Sequence, residues 1–575
     1  MSAPDLESEP ADPDVDPDVD PDVDSEGEPD ADSPSERESA RLRTVSGVIT
    51  LDEETLATPV TPDTAPPSSS SHFALTQKLL WLIGGLAGFL LFDSLIEPEI
   101  SPFHILQVLR GEIREPREII IFLTALARLQ GFLLASTITL VGIAIPLAAN
   151  NYTPRLINLF MRDRINWSVF GLLVLSNMLS HWTLLAAAGK TLPMINVGLC
   201  TVLGLVSVLL IIPYAFYVMR SLEPENILLR IEAEIVEDLA TATAPDPGDS
   251  VDGLRNHLIQ SIKYVSNIAL RSIDRHDRDT ALFALEALCR VFARYFECKP
   301  RLPREWFRVR HNDFLNKPPE VLAQIEESGT VFEVELLEEC ALMLSVSIDR
   351  FREVVRNVGV TTRQIGQLAV AHDEEQALEA VRVYFNSFIR AAISRRSPDA
   401  IYMLVFQYRL FAEQTLEQNP SNATKVAFYL DYYAHQAVRS GIVFVANLIA
   451  YDLAYLTILA WDLDSPCRQR LFQIYVEFDR NETLKDFPGV IKSHLKLMIY
   501  MAHHGHTVEL AQLETELGRV DDELIQRAVT EIDAIDSPYY WEVTDRRLHL
   551  DYVEDDMQPA WRAIKERLEA RVASD

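Results

Sequence analysis

The sequence predicts an all-α membrane protein: four transmembrane helices and a large helical cytosolic domain, a bundle or an irregular α-solenoid, behind a disordered N-terminus. Three observations carry this. Four runs between residues 77 and 219 are long and nearly free of charge. Residues 221–575 place apolar side chains at helical spacing with little strand alternation, and residues 1–72 are acidic, Pro-rich and almost without aromatic rings. The expected organisation is therefore a tail at 1–72, a transmembrane domain at 73–220 and a soluble helical domain at 221–575.

Residues 1–72 hold 20 acids against 3 bases, which accounts for about half of the net charge of −33. They include the run DPDVDPDVDPDVD at 12–24, where dense like charge and repeated Pro leave little apolar surface to offset the entropy of ordering. Its Asp spacing resembles a calcium loop, but the turn Gly and the twelfth-position Glu are missing. No basic n-region precedes an apolar stretch, so a signal peptide is not expected.

The spans follow at about 77–96, 131–149, 167–187 and 194–219. About twenty helical residues cross about 30 Å of hydrocarbon. The shorter apolar run at 115–130 stops at Arg128 and reads as an interfacial or buried helix leading into the second span. After that span comes NNYTPRLINLFMRDR, residues 150–164. Asn150, Asn151 and Pro154 favour ending the helix, and Arg155, Arg162 and Arg164 hold the exit at the water interface. Basic residues are split almost evenly between the two sides, so the positive-inside rule decides little. A long tail without a signal peptide favours both termini in the cytoplasm of a multi-pass inner-membrane protein, with Lys190 outside.

The run Leu147-Ala-Ala-Asn-Asn-Tyr-Thr-Pro-Arg-Leu156, followed by Phe160-Met-Arg-Asp-Arg164, resembles the bacterial membrane proteins grouped as a domain of unknown function, DUF2254. Asn267-Ile-Ala-Leu-Arg-Ser-Ile273 and Thr280-Ala281 look like a second segment of that family. The turn between them, Asp274 to Asp279, lacks the Pro and Gly found in the family. The resemblance covers roughly 73–297 and implies a membrane location, with no activity attached.

Within the spans, Ala135, Thr139, Gly142, Pro146 and Asn150 share one helical face, as do Asn177 and His181. Small residues permit close helix packing, and polar side chains in hydrocarbon face protein or water. The structural reading is packing with an interhelical hydrogen bond; the functional one is a wetted ion or proton pathway. Asn150, Pro154, Arg155, Asn177 and His181 are thus the candidate structural or pathway residues.

Beyond 219 the patterns predict helices near 224–239, 254–273, 279–297, 331–356, 375–395, 398–418, 422–462, 467–480 and 507–531. The apolar stretch 441–450 is read as part of a buried helix because Asp452 and Asp462 continue it. Glu338 with Glu339, and Glu374 with Glu375, read as solvated helix faces. The cluster His503, His504 and His506 reads as a surface turn before a metal site. Five scattered cysteines suggest neither disulfides nor zinc, and no phosphate loop, zinc helix or nucleophile elbow occurs. Catalytic, cofactor and metal residues are accordingly expected to be none.

The acidic balance disfavours nucleic acid. The partners expected are the lipid bilayer, proteins that bind the helical tail, and further copies of the chain. The functional expectation is a membrane-anchored scaffold or sensor, not an enzyme; the alternative is an oligomeric ion channel or transporter gated by the tail.

Overall fold

The computed structural model describes residues 116–152, 155–187, 194–244, 251–310, 313–314, 317–481, 483–539 and 549–574. The expected acidic tail and the expected span at 77–96 lie outside the described residues. All described regular structure is helical.

The apolar stretch after residue 116 forms α1, Pro116–Asn151. Pro116 sits at the start, where a missing amide costs nothing, and Glu118 lies in the first turn beside the positive helix end. At 36 residues α1 is about 54 Å long. The segment 115–130 is therefore not a separate interfacial helix: Ile119, Leu123 and Ala127 recur at intervals of four and stay buried, so the same packed face runs through Arg128 into the span. Next come α2, Arg155–Arg162, α3, Arg164–Ala187, and α4, Met194–Ser221. Helices α1, α3 and α4 pack on one another pairwise.

The remaining helices are α5, Pro224–Ala242; α6, Val251–Asp274; α7, Arg278–Cys298; α8, Pro319–Ser328; and α9, Val331–Ser347. Then follow α10, Arg352–Ala371; α11, Glu375–Ser394; α12, Pro398–Thr415; α13, Pro420–Arg439; and α14, Phe444–Asp462. The series ends with α15, Arg468–Asp479; α16, Pro488–His503; α17, Thr507–Leu517; α18, Asp522–Asp533; and α19, Gln558–Ser574. Helices α7, α10, α12, α14 and α16 each pack on the next, and so do α6, α9, α11, α13 and α15. Neighbours in sequence join the two rows. This is a two-layered α-solenoid with one continuous core.

Seven of its described joints repeat one geometry. At His276, Gly329, Asp373, Arg396, Gly441, Asp464 and Gly505 the backbone turns left-handed, with φ between 49° and 80°. The next amide then bonds back to a carbonyl in the last helical turn, as in Asp277 N to Ser272 O (2.9 Å), Ser397 N to Ala392 O (3.1 Å) and Ile442 N to Ala437 O (2.8 Å). This Schellman closure satisfies carbonyls that a helix end leaves open. Three predicted helices are split by such joints or by short turns. The stretch 331–356 breaks after Ser347, 422–462 at Gly441, and 507–531 after Leu517.

Four described helices are long and apolar enough to cross a membrane: Arg117–Asn150, Arg164–Ala187, Ile195–Ser221 and Phe444–Asp462. Burial separates them. The first three are 28–33 % buried, whereas the fourth is 61 % buried and forms the middle of the solenoid core. Asp452, at 1 % exposure, faces Arg409 at 3.3 Å inside that core.

Candidate functional site

Two polar constellations stand out: a seam between the membrane helices and the junction where they meet the solenoid. In the seam, Gln130 of α1 donates from Nε2 to Ser176 Oγ of α3 at 2.8 Å, and Ser207 of α4 approaches the same oxygen at 3.5 Å. All three residues are buried, and Gln130 Oε1 has no hydrogen-bond partner among the described residues. Asn177 donates to the Ala127 carbonyl at 3.2 Å, which ties α3 to α1. Such closeness needs small residues: a Cβ on Gly204 would lie 2.5 Å from Leu126 Cδ1.

His181 does not join that contact. It is exposed, and its Nδ1 lies 3.0 Å from the Asn177 carbonyl of its own helix. The small-residue face of α1 is exposed as well; Ala135, Thr139, Gly142 and Pro146 touch solvent-accessible space, and nothing lies within 4 Å of where a Gly142 Cβ would be.

At the junction, Asp163 caps α3 by accepting the Ile165 amide at 2.9 Å. Its other oxygen accepts the Tyr217 hydroxyl of α4 and lies 3.5 Å from Arg230 Nη1 of α5. One carboxylate thereby joins two membrane helices to the first helix of the solenoid. Beside it, Asn166 donates to the Phe160 carbonyl at 2.9 Å and accepts from Tyr214 at 3.3 Å. The amphipathic α2 shows why its sequence alternates in fours: Leu156 and Phe160 are buried against protein, while Ile157 and Met161 are exposed.

Asn150 contributes its backbone rather than its side chain, which is exposed. Its carbonyl accepts a hydrogen bond from Arg271 of α6, and Arg275 stands 5.7 Å above the Tyr152 ring. Ala148, Ala149 and Leu156 belong to the solenoid's hydrophobic core. The helix stops at Asn151 and restarts at Arg155, but Pro154 and the Arg155 side chain lie outside the described residues. Asp163 was visible in the Arg-Asp-Arg motif, yet its partners lie 54 and 67 positions away and carry no local signal.

Inside the solenoid Glu375 is exposed, as expected of a solvated face, but the other carboxylates differ from that expectation. Glu374 binds the buried Lys299 at 2.8 Å, and Lys299 also binds the fully buried Glu333 at 2.6 Å. Burial pushes the Glu333 carboxyl above its ordinary range, against the pull of Lys299. Glu339 is buried too, and Glu338 pairs with Lys317 at 2.5 Å. Arg255, fully buried, donates to the Trp306 carbonyl at 2.9 Å and to Asp313 at 2.5 Å, pinning the loop after α7 onto α6. His503, His504 and His506 sit at a solenoid joint, where His504 and His506 lie against Tyr500 and Trp461 respectively. Burial, with His503 alongside, holds the His504 imidazole below its ordinary value. No group of three or more metal-ligating side chains converges among the described residues.

No curated protein matches the chain. Among solved structures, a circular tandem repeat protein with novel repeat topology and enhanced subunit contact surfaces aligns at a TM-score of 0.34 and 12 % identity, over 72 % of this chain and 98 % of that one. Residues 73–263, which take in the membrane helices, α5 and the first half of α6, match the model of the family described as "Predicted membrane protein (DUF2254)".

Proposed function

We propose that the protein is a scaffold or sensor anchored in the bacterial inner membrane, with both termini cytoplasmic, which acts by binding proteins along its helical solenoid rather than by catalysis. The observation that carries this is the junction: Asp163 and the Asn150 carbonyl bind Arg230 and Arg271, so the bilayer helices and the solenoid share contacts on two sides. A rearrangement of α1, α3 or α4 is thereby transmitted to α5 and α6 without a flexible linker between α4 and α5. Solenoids present extended surfaces suited to protein partners.

The exposed small-residue face of α1 favours a second reading, an oligomeric ion channel or transporter in which copies of that face line a pathway. One preparation separates the two. Purified protein is placed in liposomes for ion flux while partners co-purified from membranes are identified. Variants Arg155→Lys, Arg155→Ala and Arg155→Glu are compared for yield and flux. Stable protein whose ion preference inverts in Arg155→Glu overturns the scaffold reading; specific partners without flux support it.

A further inference from the structure

The joints of the solenoid fall on two edges, and one of these starts at the membrane. Only Leu222 and Glu223 separate α4 from α5, and α6 runs back along α5, with His257 near its start paired to Asp238 near the end of α5. The last turns of α6 then meet the end of α1, where Arg271 bonds the Asn150 carbonyl and Arg275 stands over the Tyr152 ring. The joint between α6 and α7 therefore lies where the chain leaves the bilayer. Ion pairs carry this edge outward from joint to joint. Arg350, between α9 and α10, binds Asp274 at 2.9 Å, and Arg395, between α11 and α12, binds Asp349 at 2.6 Å. Arg396 and Arg439 line one hollow of about 620 Å³, which adds the joint between α13 and α14. Helices about 10 Å apart place these four joints in a row about 30 Å long that begins at the end of α1.

The two edges differ in charge. Residues 221–575 hold 58 acids against 39 bases, but the edge that starts at the membrane is basic. Its segments 346–355, 390–399 and 435–444, which contain the outer three joints, hold six Arg and three acids. The matching segments of the other edge, 370–379, 412–421 and 460–469, hold one Arg and eight acids. The three acids of the basic edge are each matched by an Arg: Asp349 by Arg395, Glu353 by Arg278 at 3.6 Å and Asp399 by Arg352 at 3.3 Å. Arg396 and Arg439 are exposed and belong to none of these pairs. Beside them Val443 and Phe444 are 43 % and 40 % exposed, although Ile442 and Val445 on either side are buried. Cations next to exposed apolar side chains suit an anionic lipid surface, where the charges meet phosphates and the apolar groups enter the boundary below them.

We propose that this edge of the solenoid lies on the headgroups of the protein's own bilayer, with Arg396 and Arg439 on lipid phosphates and Val443 and Phe444 in the boundary between headgroups and acyl chains. Lipid is the occupant because the row of joints is continuous with the membrane exit and its cations call for anions. The acidic edge is then turned away from the bilayer, whose negative surface repels it. This goes beyond the scaffold reading and does not depend on it.

The test uses the full-length protein in lipid nanodiscs as two variants: Phe444→p-benzoylphenylalanine on the basic edge and Gln418→p-benzoylphenylalanine at an exposed position of the acidic edge. Irradiation followed by mass spectrometry identifies what each ring touches. In discs of equal parts phosphatidylglycerol and phosphatidylcholine, lipid adducts at position 444 should exceed those at position 418 about tenfold. They should fall about tenfold in discs of phosphatidylcholine alone, and likewise when Arg396→Glu/Arg439→Glu is added. The change of lipid needs no charge reversal, so it decides the matter even where the reversed variant fails to fold. Equal lipid labelling at the two positions overturns the proposal. So does labelling at 444 that ignores phosphatidylglycerol, or adducts at 444 with protein in place of lipid. None of these outcomes bears on the scaffold reading, which stands or falls on partners and ion flux.

Discussion

Arg271 of α6 donates a hydrogen bond to the backbone carbonyl of Asn150, the penultimate residue of α1. A carbonyl near a helix C-terminus lacks an intrahelical donor and carries partial negative charge, so a guanidinium is the fitting partner. Because only the backbone of Asn150 is used, Asn150→Ala should leave thermal stability in detergent unchanged. Arg271→Ala should lower it by ~1 kcal/mol, the magnitude of an exposed charge-assisted contact. Equal effects of the two substitutions would mean that the Asn150 side chain matters after all.

Asp163 should tolerate Asn poorly and Ala less well still. Asn keeps an oxygen for the α3 cap but loses the charge facing Arg230, while Ala loses both. Capping alone is worth ~1 kcal/mol. Hydrogen exchange at the start of α5 reports the second loss: Asp163→Asn should speed it, and Ile157→Ala, on the exposed face of α2, should not.

The solenoid joints offer stabilising substitutions. A non-glycine residue at positive φ costs about 1 kcal/mol, so Arg396→Gly and His276→Gly should raise the unfolding temperature, after the loss of ~0.5 kcal/mol to extra freedom in the unfolded chain. Gly441→Ala should lower it. Paired thermal scans decide this; a drop for both glycine variants would show that the native side chains make compensating contacts.

His494 predicts a pH dependence. Its Nδ1 faces Asp479 at 2.7 Å and its Nε2 faces the Leu513 carbonyl at 3.0 Å, so both nitrogens meet acceptors, a setting that favours the protonated ring. Burial opposes that charge, but Asp479, with the Leu513 carbonyl and Glu516 adding to it, outweighs burial and holds the folded value above 6.5. A raised folded value means that native protein binds the proton more tightly than unfolded chain does. Its stabilisation is complete below about pH 6.5 and disappears as pH rises through the folded value. Stability should therefore decline on the alkaline side, and His494→Gln should flatten that decline while lowering stability at pH 6. Parallel profiles for the two proteins would assign the decline to other groups.

The membrane helices were legible because each is an uncharged run of bilayer length, and Asn177 because a polar side chain there must find a partner. Gln130 was missed. Arg128 marks the edge of the uncharged run, and only packing reveals that α1 continues through it. The helices of the solenoid were legible from their stripes, but the regularity of their stacking was not. A left-handed joint is normally announced by Gly, whereas four of the seven described left-handed joints use His276, Asp373, Arg396 and Asp464. Spacing conceals the repeat as well, since α8 and the turns around it intervene between α7 and α9. Buried carboxylates such as Glu333 look like surface residues in sequence, because Lys299 reaches them from another helix.

Seven of the described joints of the solenoid close with the same backbone turn, and the main contacts of each hairpin are with its neighbours in the stack. Gene segments that encode one hairpin are therefore interchangeable parts: inserting or removing one preserves the joints on either side and the face offered to the next helix. Descendants of a common ancestor should accordingly keep α1 to α6 at constant length, since those helices are bound to the bilayer and to one another through Asp163 and Asn150, and should vary downstream in steps of about two helices. Selection can lengthen or shorten the arm without touching its anchor.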